Sequence, residues 1–271
     1  MLKKEYEFLT EFDRVSINEL ASGIADIYSP NNRIEPELIA EKVGITYSYG
    51  NYGINSFDGM LEHRSGRFHI YINKDRHDNI YSDRARFTFA HELGHYFIDE
   101  HRTALESGIS SHCSFTGFKT KDRVERQADY FASCLLLPEE RVKSYCKRKK
   151  FNFSIIEELS KKFSVSFSAT SLRFSAIGMH PILVVYSYKN NISWYWSSQD
   201  FPFKYLLHGK DKLPVDTVAG EYFLKGFYPK TSEQVWAMDW FDYVKKGDIE
   251  RKFKEQCKIH RDHCLSIIWE D

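Results

Sequence analysis

The chain has no excess of either charge. Its 38 lysines and arginines balance 38 aspartates and glutamates, so no global field argues for a nucleic acid, a membrane surface or an acidic substrate, and any such binding has to be local. No apolar run approaches the roughly 20 residues that cross a bilayer. The opening stretch Met1-Leu2-Lys3-Lys4-Glu5-Tyr6 lacks the apolar centre of a signal peptide. Cysteine is scarce and unpatterned: five, an odd number without regular spacing, rule out a disulfide framework and fit a reducing compartment, so a cytoplasmic protein without membrane contact is expected. Internal repeats and low-complexity tracts are also missing. What is present is 271 residues with 42% hydrophobic content, enough for one large or two modest domains with true cores.

Within that frame the stretch His91-Glu92-Leu93-Gly94-His95 stands out as an H-E-x-x-H pattern. Residues four apart lie one turn above each other on a helix, so both imidazoles share a face and can grip a zinc ion. Glu92 is offset by one position and reaches the outer side of that metal, where it can serve as general base. Ser82 and Asp83 are suitable N-caps, and Phe87, Ala90, Gly94, Phe97 and Ile98 repeat at helical spacing, so the pattern falls on an amphipathic helix. Gly94 inside it costs about 1 kcal/mol relative to alanine, which makes sense if another segment must come close.

A catalytic zinc requires a third protein ligand and an open fourth position. In Asp122 to Leu137, Val124, Ala128, Phe131, Ala132 and Leu135 form an inward stripe, with Glu125 and Asp129 along its edge one turn apart. A carboxylate at the edge of a buried stripe is costly unless paired or bound to metal. Glu125 is therefore read as the third ligand, against the alternative of an ordinary surface glutamate. Asp129 is read as the acceptor that orients a ligand histidine from behind.

Four stretches now stand together: Arg86 to His95, then Glu125 to Ala132, then Leu135-Leu136-Leu137-Pro138-Glu139-Glu140, and the upstream hairpin ending Ile70-Tyr71-Ile72-Asn73. Jointly the chain resembles the ImmA/IrrE metallopeptidases over roughly residues 35 to 178. The resemblance implies a zincin-like fold, with His91, His95 and Glu125 as zinc ligands and Glu92 as general base. The departures are small: Leu137 stands where Met is common, and Asp129 where Asn is frequent. The resemblance further implies a zinc endopeptidase that cleaves a helix-turn-helix repressor. Such cleavage switches on genes of mobile elements, stress response or anti-phage defence, with single-stranded DNA or a small molecule as activator.

The remaining organisation reads as α+β. Two helices, about Ser16 to Tyr28 and Pro36 to Gly44, precede a strand at Ile45 to Tyr49 and a hairpin turning at Ser65-Gly66. The edge of that small sheet is, by analogy, where an extended substrate would pair. Residues 153–163 and 167–176 form a helix-turn-helix-like pair within a peptidase domain expected over 1–178, the helical unit taking about 151–178. From His180 the texture changes to strands and aromatics, and 179–271 is expected to be a separate α+β sensor or regulatory domain, GAF-like in the form the resemblance suggests.

Glu100 to Thr120 lacks periodicity and reads as a loop near the site. Its Cys113 is either an ordinary loop cysteine or an inhibitory thiolate that occupies the fourth zinc position, and the neighbouring His112 could instead stabilise an oxyanion. The run Lys147-Arg148-Lys149-Lys150 is favoured by a helix dipole and is weak evidence for DNA binding. Cys257, His260, His263 and Cys264 do not fit a zinc-finger half cleanly, and Cys264 opens the apolar run to Trp269, so a buried cysteine on a strand is expected there. The rival to the peptidase is a non-catalytic zinc-containing regulator of DNA or protein. Intact Glu92 argues against it, since a structural zinc requires no general base.

Overall fold

A computed structural model describes residues 9–30, 33–77, 79–108, 122–207 and 212–271, together with the backbone of 112–114. The fold is α+β, with two sheets among the described residues, and it divides into two compact units.

The first unit comprises Tyr6–Tyr145 and Glu158–Ser166. Helix α1 (Glu11–Tyr28) starts at a capping box in which the Thr10 hydroxyl accepts from the Asp13 amide and the Asp13 carboxylate accepts from the Thr10 amide. Helix α2 (Pro36–Lys42) opens on proline, whose missing N–H has no helical partner to lose. Strands β1 (Thr46–Gly50), β2 (Gly59–Arg64), β3 (Arg67–Asn73) and β4 (His112–Ser114) form one sheet in the order β1-β3-β2-β4. β1 runs parallel to β3 and the other pairs are antiparallel. The β2–β3 hairpin turns through Ser65 and Gly66, both at positive φ (52° and 74°). That is the two-residue turn whose twist matches the strands.

Four helices follow: α3 (Asp83–Phe97), α4 (Asp99–Glu106), α5 (Arg123–Leu136) and α6 (Glu139–Cys146). α3 packs over β2 and β3, α5 packs on α3, and α1 packs on α5. The layer order is thus sheet, α3, α5, α1. The segment 100–120, expected to be a loop, contains α4 and the edge strand β4 instead. Only His101 and Leu105 of α4 turn inward, a stripe of two residues that is too short to show as periodicity. β4 also takes the outer side of β2, so among the described residues β4 is the outermost strand on that side.

Asp13 is buried beneath α5, where it accepts from Arg123 Nη2 at 2.8 Å and Gln127 Nε2 at 3.0 Å. Burial pushes its carboxyl up, but the hydrogen bonds from Arg123, Thr10 and Gln127 outweigh it and bring the group down to about 2. A carboxyl depressed on folding stabilises the protein above its unfolded value near 4 and loses that contribution as pH falls toward the folded value. Asp13→Asn is therefore expected to cost about 2 kcal/mol at pH 7 and almost nothing near pH 2. Urea unfolding of both proteins across that range checks this, and a pH-independent difference would refute it.

The second unit comprises Cys146–Glu157 and Phe167–Asp271; helix α7 (Phe153–Phe163) is shared along the chain between the two. It contains α8 (Phe167–Ile177), β5 (Ile182–Tyr188), β6 (Asn191–Ser197), α9 (Val218–Lys225), β7 (Glu233–Trp236), α10 (Ala237–Trp240), β8 (Lys252–His260) and β9 (His263–Trp269). The sheet is antiparallel in the order β6-β5-β9-β8-β7. β5 and β9 are central and buried along nearly their whole length, so they read as continuous apolar runs without alternation. Leu183, Val185, Phe201, Trp240, Phe253 and Ile268 form the core between sheet and helices. Cys257 and Cys264 are buried on β8 and β9.

β8 is absent from the expectation because Glu255 interrupts its apolar face. That carboxylate is fully buried and accepts from the Val218 and Ala219 amides at the start of α9 and from Trp240 Nε1. These donors offset part of the cost of burying it, and burial still pushes the carboxyl up.

Candidate metal centre

His91 and His95 project from one face of α3, with ring centroids 4.9 Å apart. Their Nε2 atoms lie 3.1 Å from each other. Glu125, near the start of α5, completes a triangle: its Oε2 is 3.2 Å from His91 Nε2 and its Oε1 is 3.4 Å from His95 Nε2. Gly94 is what lets α5 come this close. A Cβ there would lie 3.2 Å from the Ala128 Cα and 3.3 Å from its carbonyl oxygen, tighter than the neighbouring backbone can readily give.

Among the described residues, His91, His95 and Glu125 are the one cluster of at least three candidate ligands. A tetrahedral ion with bonds of about 2.0–2.1 Å separates its ligand atoms by about 3.3 Å, which is the spacing found. Two imidazoles and a carboxylate also suit a first-row divalent metal. The residues therefore fit a metal ion.

The proton distribution agrees with that donor set. Burial pulls His91 down, but its bonds to Asp129 and Glu125 outweigh it and hold the imidazole well above its usual value. Burial pushes His95 down to about 3 in spite of Glu125. Burial raises Glu125, yet the two histidines hold it well below the usual carboxylate range.

Asp129 lies one turn beyond Glu125, its Oδ1 2.8 Å from His91 Nδ1. A carboxylate accepts only, so His91 keeps its proton on Nδ1 and leaves Nε2 for the triangle. Glu92 is completely buried, close enough that its charge raises His91. It packs on Gly59 at the start of β2, where a Cβ would fall 2.6 Å from Glu92 Oε1. Glycine leaves the carboxylate its place between helix and strand, and a side chain there would require Glu92 or Thr88 to move.

The approach to Gly59 is held from behind. Asn73 at the end of β3 donates to the Gly53 and Phe57 carbonyls and accepts from the Tyr52 and Asp75 amides. It spends its side chain on the segment leading into β2. Buried Asp58 pairs with Arg76 at 2.6 Å and Arg84 at 3.3 Å. Arg86, little more than one turn before His91, donates to the carbonyls of Ile34, Phe163 and Ser164, which anchors the start of α3.

The backbone of Cys113 pairs with Met60 in the sheet, but the side chains of Cys113 and His112 lie outside the described residues. Three residues linked in series to the site have no sequence signal: His101, Gln127 and Asp13. His101 reaches His95, Gln127 reaches His101, and Asp13 reaches Gln127 across 114 positions.

The family model of the IrrE N-terminal-like domain matches residues 40–175, half of the chain. The chain belongs to this family. The match takes in the whole triangle together with Glu92, Asp129, Gly59 and Asn73, and the domain is accordingly of the metallopeptidase kind. No curated protein matches the chain. A solved structure described as a Mycobacterium tuberculosis transcriptional regulator superposes with a TM-score of 0.61 at 12% identity, covering 97% of this chain and 79% of that one. At that identity the likeness is one of fold. No helix among the described residues is long and apolar enough to cross a membrane.

Proposed function

We propose that the chain is a zinc-dependent endopeptidase that cleaves a specific helix-turn-helix transcriptional repressor in the cytoplasm. The observation that carries this reading is the triangle of His91, His95 and Glu125 at 3.1–3.4 Å with Glu92 buried alongside. A structural zinc needs a fourth protein ligand and no general base. Residues 1–178 act as the peptidase and 179–271 as a regulatory domain, through which single-stranded DNA or a small molecule would activate it. The structural neighbour is described as a transcriptional regulator, which supports a regulatory setting.

His91, His95 and Glu125 would hold the metal. Bound there, a zinc ion would supply Lewis-acid polarisation of the scissile carbonyl and acidify water. Glu92 takes the proton of the attacking water and hands it to the departing amine. Gly59 leaves that carboxylate the space it occupies, and Asp129 holds His91 in its working tautomer.

Mixing the purified protein with a helix-turn-helix repressor, sought first among the products of neighbouring genes, is expected to give one or a few discrete cuts, abolished by a chelator and restored by zinc. Broad digestion of casein, or cleavage that survives the chelator, would count against the reading.

A further inference from the structure

His95 meets its surroundings differently from His91. Its Nδ1 lies 3.2 Å from Nδ1 of His101, and His101 Nε2 lies 3.0 Å from Oε1 of Gln127. Gln127 Nε2 donates to Asp13 Oδ1 at 3.0 Å, and Asp13 is held by Arg123 and by the amide and hydroxyl of Thr10. His95, His101, Gln127 and Asp13 are all buried, and they string together α3, α4, α5 and α1.

Chemistry gives this string a direction. An ionised carboxylate only accepts, so Gln127 must turn its NH₂ toward Asp13 and its carbonyl oxygen toward His101. That oxygen also only accepts, so His101 carries its hydrogen on Nε2. With His101 neutral, its ring has a single N–H, which leaves His101 Nδ1 as an acceptor facing His95. His95 must then hold its hydrogen on Nδ1, and its Nε2 lone pair is left pointing at the triangle. Each step follows from the one before it, and the whole is set by the carboxylate of a helix cap.

We propose that Asp13, Gln127 and His101 form a directional relay that locks His95 in the tautomer with a bare Nε2, making His101 a positioning residue for the metal centre. The proposal rests on reading the triangle as a metal site. Glu92, Glu125 and Asp129 already crowd three negative charges around the two histidines. The relay keeps the fourth, Asp13, two side chains away and beside Arg123, and still transmits its orienting effect.

The test begins with the metal-free, ¹⁵N-labelled full chain at neutral pH. Long-range ¹H–¹⁵N correlations should find His95 protonated on Nδ1 and His101 on Nε2; His95 with its hydrogen on Nε2 would overturn the relay. Zinc affinity then gives a second readout. His101→Phe should weaken binding about 10–100-fold, the usual effect of losing a partner behind a ligand, and His101→Gln, which retains an acceptor and a donor in order, should recover most of it. Unchanged affinity in His101→Phe, or no recovery in His101→Gln, also refutes the relay. If His101→Phe fails to fold, the tautomers of the unaltered protein still decide. A wild-type chain that holds no zinc would defeat the metal reading separately, with the tautomers as stated.

Discussion

Glu92→Gln is expected to lower cleavage of the repressor by about 10²–10⁴-fold, the usual contribution of a general base, and to leave zinc content unchanged. Glutamine has nearly the volume of glutamate, so it fits the space against Gly59, where the fit is tight enough to exclude even a methyl group on the strand. The amide cannot take up a proton, so only the chemistry is removed. Glu92 is not one of the three residues whose donor atoms converge, and the triangle should stay loaded. The two measurements, cleavage rate and bound zinc, thus separate in this variant. Activity within about tenfold of wild type would rule out Glu92 as the base. Loss of zinc would show it to be a ligand.

Glu125→Ala should have the opposite signature, with metal and activity lost together. Structural zinc sites bind with about 10–16 kcal/mol from four ligands, so one ligand accounts for roughly 3 kcal/mol, or on the order of 10²-fold in affinity. The carboxylate also bridges both histidines, at 3.2 and 3.4 Å, so its removal leaves two buried imidazoles without the group that draws them together. Glu125→Gln retains one oxygen donor without the charge and should fall between alanine and wild type. Titration with zinc against a competing chelator orders the three proteins. An alanine variant that binds as tightly as wild type would remove Glu125 from the site.

Much of the first unit is legible along the chain because its signals are local. The β2–β3 turn at Ser65-Gly66 requires positive φ at both residues, and α3 begins where Ser82 caps it. His91 and His95 share a face through helix geometry alone. Gly94, an unfavourable helix residue, marks a close approach before the partner is known, and the partner is Ala128 of α5. α4 and β8 are illegible for opposite reasons. α4 buries too few side chains to show a period, and β8 buries a glutamate where alternation demands an apolar residue.

By itself, the sequence determines which residue types can serve the centre and on which helices they lie. Periodicity is a property of neighbours, and the two histidines, Glu92, Glu125 and Asp129 are each placed on a helix face by it. Tertiary structure alone decides that the two faces meet at 3.1–3.4 Å, that β2 presents a glycine to Glu92, and that His95 is oriented through His101 and Gln127 by Asp13. Those contacts join residues up to 114 positions apart, and each is a single polar pairing with no repeat along the chain. The direction of a hydrogen bond is inherited from its far end, and that end is in contact only once the helices are packed.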